Sequence, residues 1–141
     1  MINIMLFLAC CVVVSVKVSF ADASKPCSKK DEIYVERLAA KVTNWKELHK
    51  LYKRYHQCDD GAIAEGFSES VSIILSQSWG QLGSLQLIIQ KDASFETFIL
   101  NHLDETLPEE RLQSIGNLAR NSCPVSAIKL CDNILKRLKQ I

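Results

Sequence analysis

Apolar residues recur along this chain at three- and four-residue intervals and never settle into sustained alternation with polar ones. The pattern therefore predicts helices and no sheet. The longest run is 58–79, CDDGAIAEGFSESVSIILSQSW, where Ile63, Phe67, Val71, Ile74, Leu75 and Trp79 fall on one helical face. A helix is expected over 62–79. The turn Cys58-Asp59-Asp60-Gly61 opens it, with an aspartate as cap and Gly61 free to take backbone angles that other residues avoid. Gly66 inside the helix costs about 1 kcal/mol against alanine, and its expected meaning is close approach by another helix.

Shorter helices flank this one. The first is expected over 31–42, with Ile33, Tyr34, Leu38 and Val42 inward and Asp31 and Glu32 at its positive end. The second, 45–57, is opened by a capping box of Asn44 and Glu47 and turns Leu48, Leu51, Tyr52 and Tyr55 to one side. Beyond the long helix, 84–90 is apolar through Leu85, Leu87, Ile88 and Ile89. The segment 95–103, capped by 92–94, buries Phe95, Phe98, Ile99 and Leu103. A second capping box, Thr106 with Glu109, opens 108–121 with Pro108 in its first turn and Leu112, Ile115, Leu118 and Ala119 inward. The last helix is expected over 124–139, packing Ile128, Cys131, Leu135 and Leu138. The fold class expected is all-α: a compact bundle of six or seven short helices forming one domain over 24–141.

The residues before that domain read differently. An apolar run at 5–14 is followed by small residues at Ala21 and Ala23, and 1–23 reads as an export signal cleaved after Ala23 or Ala21. The run is short and contains Lys17, so it suits a bilayer span poorly. The expected location is periplasmic or secreted, with membrane contact only through the signal. Cys10 and Cys11 belong to that leader, which leaves Cys27, Cys58, Cys123 and Cys131, an even number in an exported chain and hence disulfides. Zinc would want a close CxxC-type pair, and there is none. If Cys123 opens a helix that contains Cys131, the helical rise sets them roughly 12 Å apart, too far for a disulfide. On that premise the pairing of Cys27 with Cys58 and Cys123 with Cys131 is disfavoured, and either alternative would tie the last helix to the N-terminal half.

Charge is segregated although the net charge is only +1. Residues 24–56 carry +5, 57–110 carry −9 and 111–141 carry +5. Basic outer helices could simply pack beside an acidic middle. The sharper expectation is an acidic face made by Asp59, Asp60, Glu65 and Glu69 and extended by Asp104, Glu105, Glu109 and Glu110, able to steer a basic protein partner. Nucleic acid is not expected, because the basic residues are dispersed.

Catalytic chemistry has little foothold. The serines lie on helical faces without a nucleophile elbow such as GxSxG. His49 and His56 stand seven apart, where a metal pair prefers three or four, and Asp59-Asp60 lacks the alternating ligands of a calcium loop. No cofactor and no metal are expected. His102 with Asp104 and Glu105 could form a base with orienting carboxylates, so a helical enzyme or small-ligand carrier is one alternative. A structural envelope protein without a specific site is another.

Two segments give the chain a likeness. Cys58-Asp59-Asp60-Gly61 leads into Ile63-Ala64-Glu65-Gly66, and Asn121-Ser122-Cys123-Pro124 is followed by Leu130-Cys131. In size, address and helix-cysteine plan over about a hundred residues, the chain resembles the small periplasmic immunity and inhibitor proteins of bacteria. The likeness is broadest to helical immunity proteins that neutralise amidase effectors of type VI secretion. It implies neutralisation by binding and plugging a peptidoglycan-cutting enzyme, with no chemistry of the chain's own, and it transfers no binding residue one by one.

Overall fold

The computed structural model describes residues 26–141; the export signal expected over 1–23, with Cys10, Cys11 and the expected cleavage after Ala21 or Ala23, lies outside them. Seven α-helices make up the described chain: α1 (Lys29–Ala39), α2 (Trp45–Tyr55), α3 (Gly61–Gln77), α4 (Leu82–Ile89), α5 (Ala93–Asn101), α6 (Glu109–Asn121) and α7 (Ile128–Leu138). Single 3-10 turns follow α2, precede α4 and precede α7, and no strand occurs among the described residues. The architecture is the all-α bundle that the spacing of apolar residues predicts, stapled by disulfides as the four cysteines predict.

The long helix is central in a stronger sense than an amphipathic stripe implies. Ile63, Phe67, Val71, Ile74 and Leu75 are buried as expected, but so are Gly66, Ser68, Ser70 and Ser72, and no residue within 66–76 is exposed. α3 packs on α1 along one side and on α6 along another. The approach to α1 is the tightest. A Cβ built on Gly66 would lie 2.9 Å from the Ala39 Cβ and 3.1 Å from the Ala40 backbone nitrogen. The Ser70 hydroxyl donates to the Ala39 carbonyl, one of the acceptors that the end of α1 leaves without an intrahelical partner. α1 therefore stops at Ala39, three residues earlier than its apolar spacing predicts. It also starts earlier, because Ser28 caps it: the Ser28 Oγ accepts from the Asp31 backbone N–H at 3.2 Å.

The other boundaries follow from similar competition. Asn44 caps α2 as predicted, accepting from the Glu47 N–H at 3.0 Å. The Thr106–Glu109 capping box does not form. The Thr106 N–H and hydroxyl both donate to Asp104 Oδ1, closing a local turn, and Pro108 opens α6 without a side-chain cap. Asp92 stands at the start of α5 but its carboxylate turns to α2 instead of capping. Trp79 lies beyond α3, and its indole N–H donates to the Ser122 carbonyl at 2.9 Å. α7 is anchored to α5 through Arg137, whose Nε donates to the Leu100 and Leu103 carbonyls at 3.0 and 2.9 Å, a cation at a helix C-terminus. No helix among the described residues is long and apolar enough to cross a membrane.

The cysteines pair as Cys27–Cys58 and Cys123–Cys131, the pattern disfavoured above. The premise fails because Cys123 is not helical. It sits before the 3-10 turn Val125–Ala127, and α7 begins only at Ile128. The chain doubles back across Pro124, and the two Cα atoms lie 6.3 Å apart, within disulfide reach. Each bridge is accordingly local. One pins the start of α1 to the α2–α3 turn and the other closes the entry to α7, so neither joins the two halves of the chain. Two disulfides are compatible with an oxidising compartment.

The packing at Gly66 generates a prediction of unusual sign. Alanine is the better helix former by about 1 kcal/mol, yet Gly66→Ala should destabilise the protein, by about 1–3 kcal/mol, since neither the Ala39 Cβ nor the Ala40 backbone is a flexible end. Adding Ala39→Gly should recover part of the loss. Urea unfolding measures both, and a more stable Gly66→Ala protein would show that the approach is not tight.

Candidate functional site

The chain's one buried histidine among the described residues is His102, 5% exposed, and three elements converge on it. α3 brings Ser68, the turn before α3 brings Asp59, and the α5–α6 connection brings His102 and Asp104. His102 Nδ1 lies 2.9 Å from Ser68 Oγ, His102 Nε2 lies 3.1 Å from Asp59 Oδ2, and Ser68 Oγ is 3.1 Å from Asp104 Oδ2. Phe67 and Phe98 pack against the imidazole, with Phe98 edge-on at 4.4 Å between centroids.

Proton counting defines what this cluster is. Three contacts need three hydrogens. The Ser68 hydroxyl supplies one, to Asp104. With both carboxylates ionised, the other two come from the ring, Nδ1–H to Ser68 and Nε2–H to Asp59. Asp59 Oδ1 is buried with no partner among the described residues. The Asp104 carboxyl is held below the usual carboxylate range. Burial is the largest single influence and works to raise it. The Thr106 hydroxyl, the Thr106 N–H, the Ser68 hydroxyl and the charge of His102 together outweigh it.

The row Ser68–His102–Asp59 has the composition of a nucleophile relay. In the fully bonded arrangement, however, the serine donates to a carboxylate and the ring has no free nitrogen to act as base. Ser68 is 3% exposed in the middle of α3, where the helix uses its own backbone N–H groups. What the arrangement does is clasp the α2–α3 turn and the α5–α6 connection onto the central helix.

The predicted site residues separate accordingly. Asp59 and Asp104 turn inward to this cluster. Glu69 is in an ion pair with Arg111, whose Nη1 also donates to Ser72 Oγ at 3.0 Å, so it is no free acid. Asp60 caps α3, accepting from the Gly61 N–H at 2.8 Å, and Gly61 adopts φ +51° there. Glu65, Glu105, Glu109 and Glu110 are exposed. Of five surface depressions on the described residues, none is lined by His102 or Asp104, and Glu105 lines a separate groove along α6. The three residues grouped as a possible base and its carboxylates thus do not share a cavity among these. No group of His, Cys, Asp or Glu among the described residues is placed to hold a metal ion.

A second polar network joins α2 to α5. Asp92 Oδ2 accepts from His49 Nε2 at 2.9 Å and lies 3.4 Å from Lys53 Nζ. Ser94 donates to Asp92 Oδ1, and the Tyr52 hydroxyl donates to Ser94 at 2.8 Å. The Asp92 carboxyl is lowered to about 2, first by the Ser94 hydroxyl and then by His49; burial opposes this and Lys53 adds to it.

No protein-family model, no curated protein and no solved structure matches the chain.

The depressed Asp92 group gives a pH prediction. A carboxyl whose folded value lies below its unfolded 3.8 stabilises the fold above that pH and loses the contribution as pH falls through about 2. Asp92→Asn should therefore cost roughly 1–2 kcal/mol at neutral pH, and its deficit against the parent chain should close between pH 4 and pH 2. Chemical unfolding across that range measures it, and a deficit independent of pH would refute the assignment.

Proposed function

We propose that this protein is an exported helical domain that binds a protein partner and holds it inactive, in the manner of the immunity and inhibitor proteins it resembles, and that the partner is a cell-wall hydrolase such as an amidase. One observation carries the reading. The groups best suited to chemistry, Ser68, His102, Asp59 and Asp104, are bonded to one another, with Ser68 and His102 buried, while Asp60, Glu65, Glu105, Glu109 and Glu110 remain outside. Exposed charge of one sign acts chiefly on encounter and choice of partner. Two local disulfides suit a small domain working where thiols oxidise, and export by the 1–23 leader is part of the same proposal.

The test is recovery and inhibition. The chain expressed with its leader and isolated from periplasmic extract should bring down a peptidoglycan hydrolase, and an equimolar addition should suppress that enzyme's cleavage of peptidoglycan. Glu65→Lys with Glu105→Lys should slow association about tenfold at low salt and far less at high salt. Glu69 is left out of the reversal, since its loss would also strand Arg111. Recovery of nothing above background, or an uninhibited hydrolase, would remove the reading. A hydrolytic enzyme is the second reading, and the Ser68–His102–Asp59 row favours it. It requires a fluorophosphonate to label Ser68 in the folded chain, whereas the binding reading requires that Ser68 stay unlabelled.

A further inference from the structure

Along α6, Glu109, Leu112, Gly116 and Arg120 fall at i, i+3, i+7 and i+11, a single stripe down one side of the helix. These residues line a surface groove of about 430 Å³, walled on its far side by Leu138 and by Ile141 beyond α7, with Glu105 and Leu107 at one end. The floor is apolar and low because position 116 has no side chain. A Cβ there would meet the Leu138 Cδ1 at 3.4 Å and the Arg120 guanidinium at 3.6 Å. Ile141 stands 39% exposed at the lip.

The two ends of the groove are oppositely charged. Glu105 and Glu109 lie where α6 begins, and Arg120 lies in its last turn. At the helical rise, the Cα atoms of Glu109 and Arg120 are roughly 16 Å apart, and the Arg120 guanidinium folds back toward Gly116. None of the three is in an ion pair among the described residues. Glu109 accepts only a neutral amide hydrogen, from Gln113 at 2.9 Å, and Arg120 donates to Asn117 at 3.1 Å. An apolar trough with an acid at one end and a cation at the other specifies the order of charges on whatever fills it.

We propose that this groove docks an amphipathic helical segment of another protein, about three turns long, with Lys or Arg over Glu105 and Glu109, apolar side chains over the floor and an acidic residue over Arg120. The spacing chooses the helix. About eleven residues of helix run the length of the stripe and keep their i, i+3, i+4 and i+7 side chains on one face, whereas an extended segment would cover it in about five residues and present only alternate ones. Concavity chooses a partner over a second copy, since two identical grooves brought face to face would enclose a void. The proposal rests on the binding reading above and names the face and the kind of segment involved.

A display library of random segments of about sixteen residues, selected on the disulfide-bonded chain 24–141, tests it. Enriched sequences should show the order basic, helically spaced apolar, acidic. The corresponding synthetic peptides should bind the parent chain at least about tenfold more tightly than either Gln113→Trp, which puts an indole into the groove, or the double charge reversal Glu105→Lys with Glu109→Lys. All three positions are exposed, so circular dichroism and thermal unfolding should match the parent. No enrichment, enrichment without that order, or equal binding to both variants would overturn the proposal. A parent dimer in sedimentation that Gln113→Trp dissociates would give the groove to a second copy and overturn it as well. If a hydrolase captured as above is lost with Glu65→Lys but retained by these variants, the binding reading stands and the groove assignment falls.

Discussion

Where α3 crosses α1, Gly66 lies against Ala39 and Ala40 more closely than a side chain would permit. That approach places α3 inside the bundle instead of on its surface. A helix enclosed along residues 66–76 must dispose of every polar group it carries inward. Ser70 does so on the open end of α1, Ser72 and Ser76 on carbonyls of their own helix, and Ser68 on the His102 cluster. Small side chains on α3 and the close crossing are one constraint seen from two sides, because serine and glycine leave the room that α1 and α6 occupy.

From that constraint follows the placement of charge. Asp59 and Asp104 come from segments that border α3; His102 links Asp59 to Ser68 of the central helix, and Ser68 donates to Asp104 directly. Glu69 meets Arg111 of α6, which neutralises an acid on the flank of α3 that faces α6. The remaining acidic residues stand at the start of α3 and in the α5–α6 connection, outside the packed faces. The candidate catalytic groups serve as internal braces, while carboxylates and an apolar trough stay outside. This is the physical basis of the binding reading.

The sequence made the helices legible for a simple reason: each has an apolar face at helical spacing, and the capping residues Asn44 and Asp60 stand where helices begin. It also foretold that Gly66 meets another helix. What escaped it was set by non-local competition. The Thr106 box is lost because Asp104 captures the Thr106 N–H that Glu109 would have bonded, and the Asp92 side chain turns from capping α5 to His49 on α2. The cysteine pairing is read wrongly because a short 3-10 turn after Pro124 moves the start of α7 past Cys123. Ser68 is invisible as a partner of His102, since a serine on a helical face carries no spacing signal. A usable hint was present in composition: 57–90 contains no Lys or Arg, and 62–76 alternates small residues with the apolar stripe, both marks of a helix surrounded on all sides.

Native-state hydrogen exchange resolves the centrality of α3 residue by residue. If this helix is the axis on which the others pack, its amides over 66–76 exchange only through global unfolding, with opening free energies equal to that of the whole chain. The amides of α4 and α7 should then open at lower cost. Amides of α3 that exchange more readily than those of α6 and α7 would contradict the account at its root.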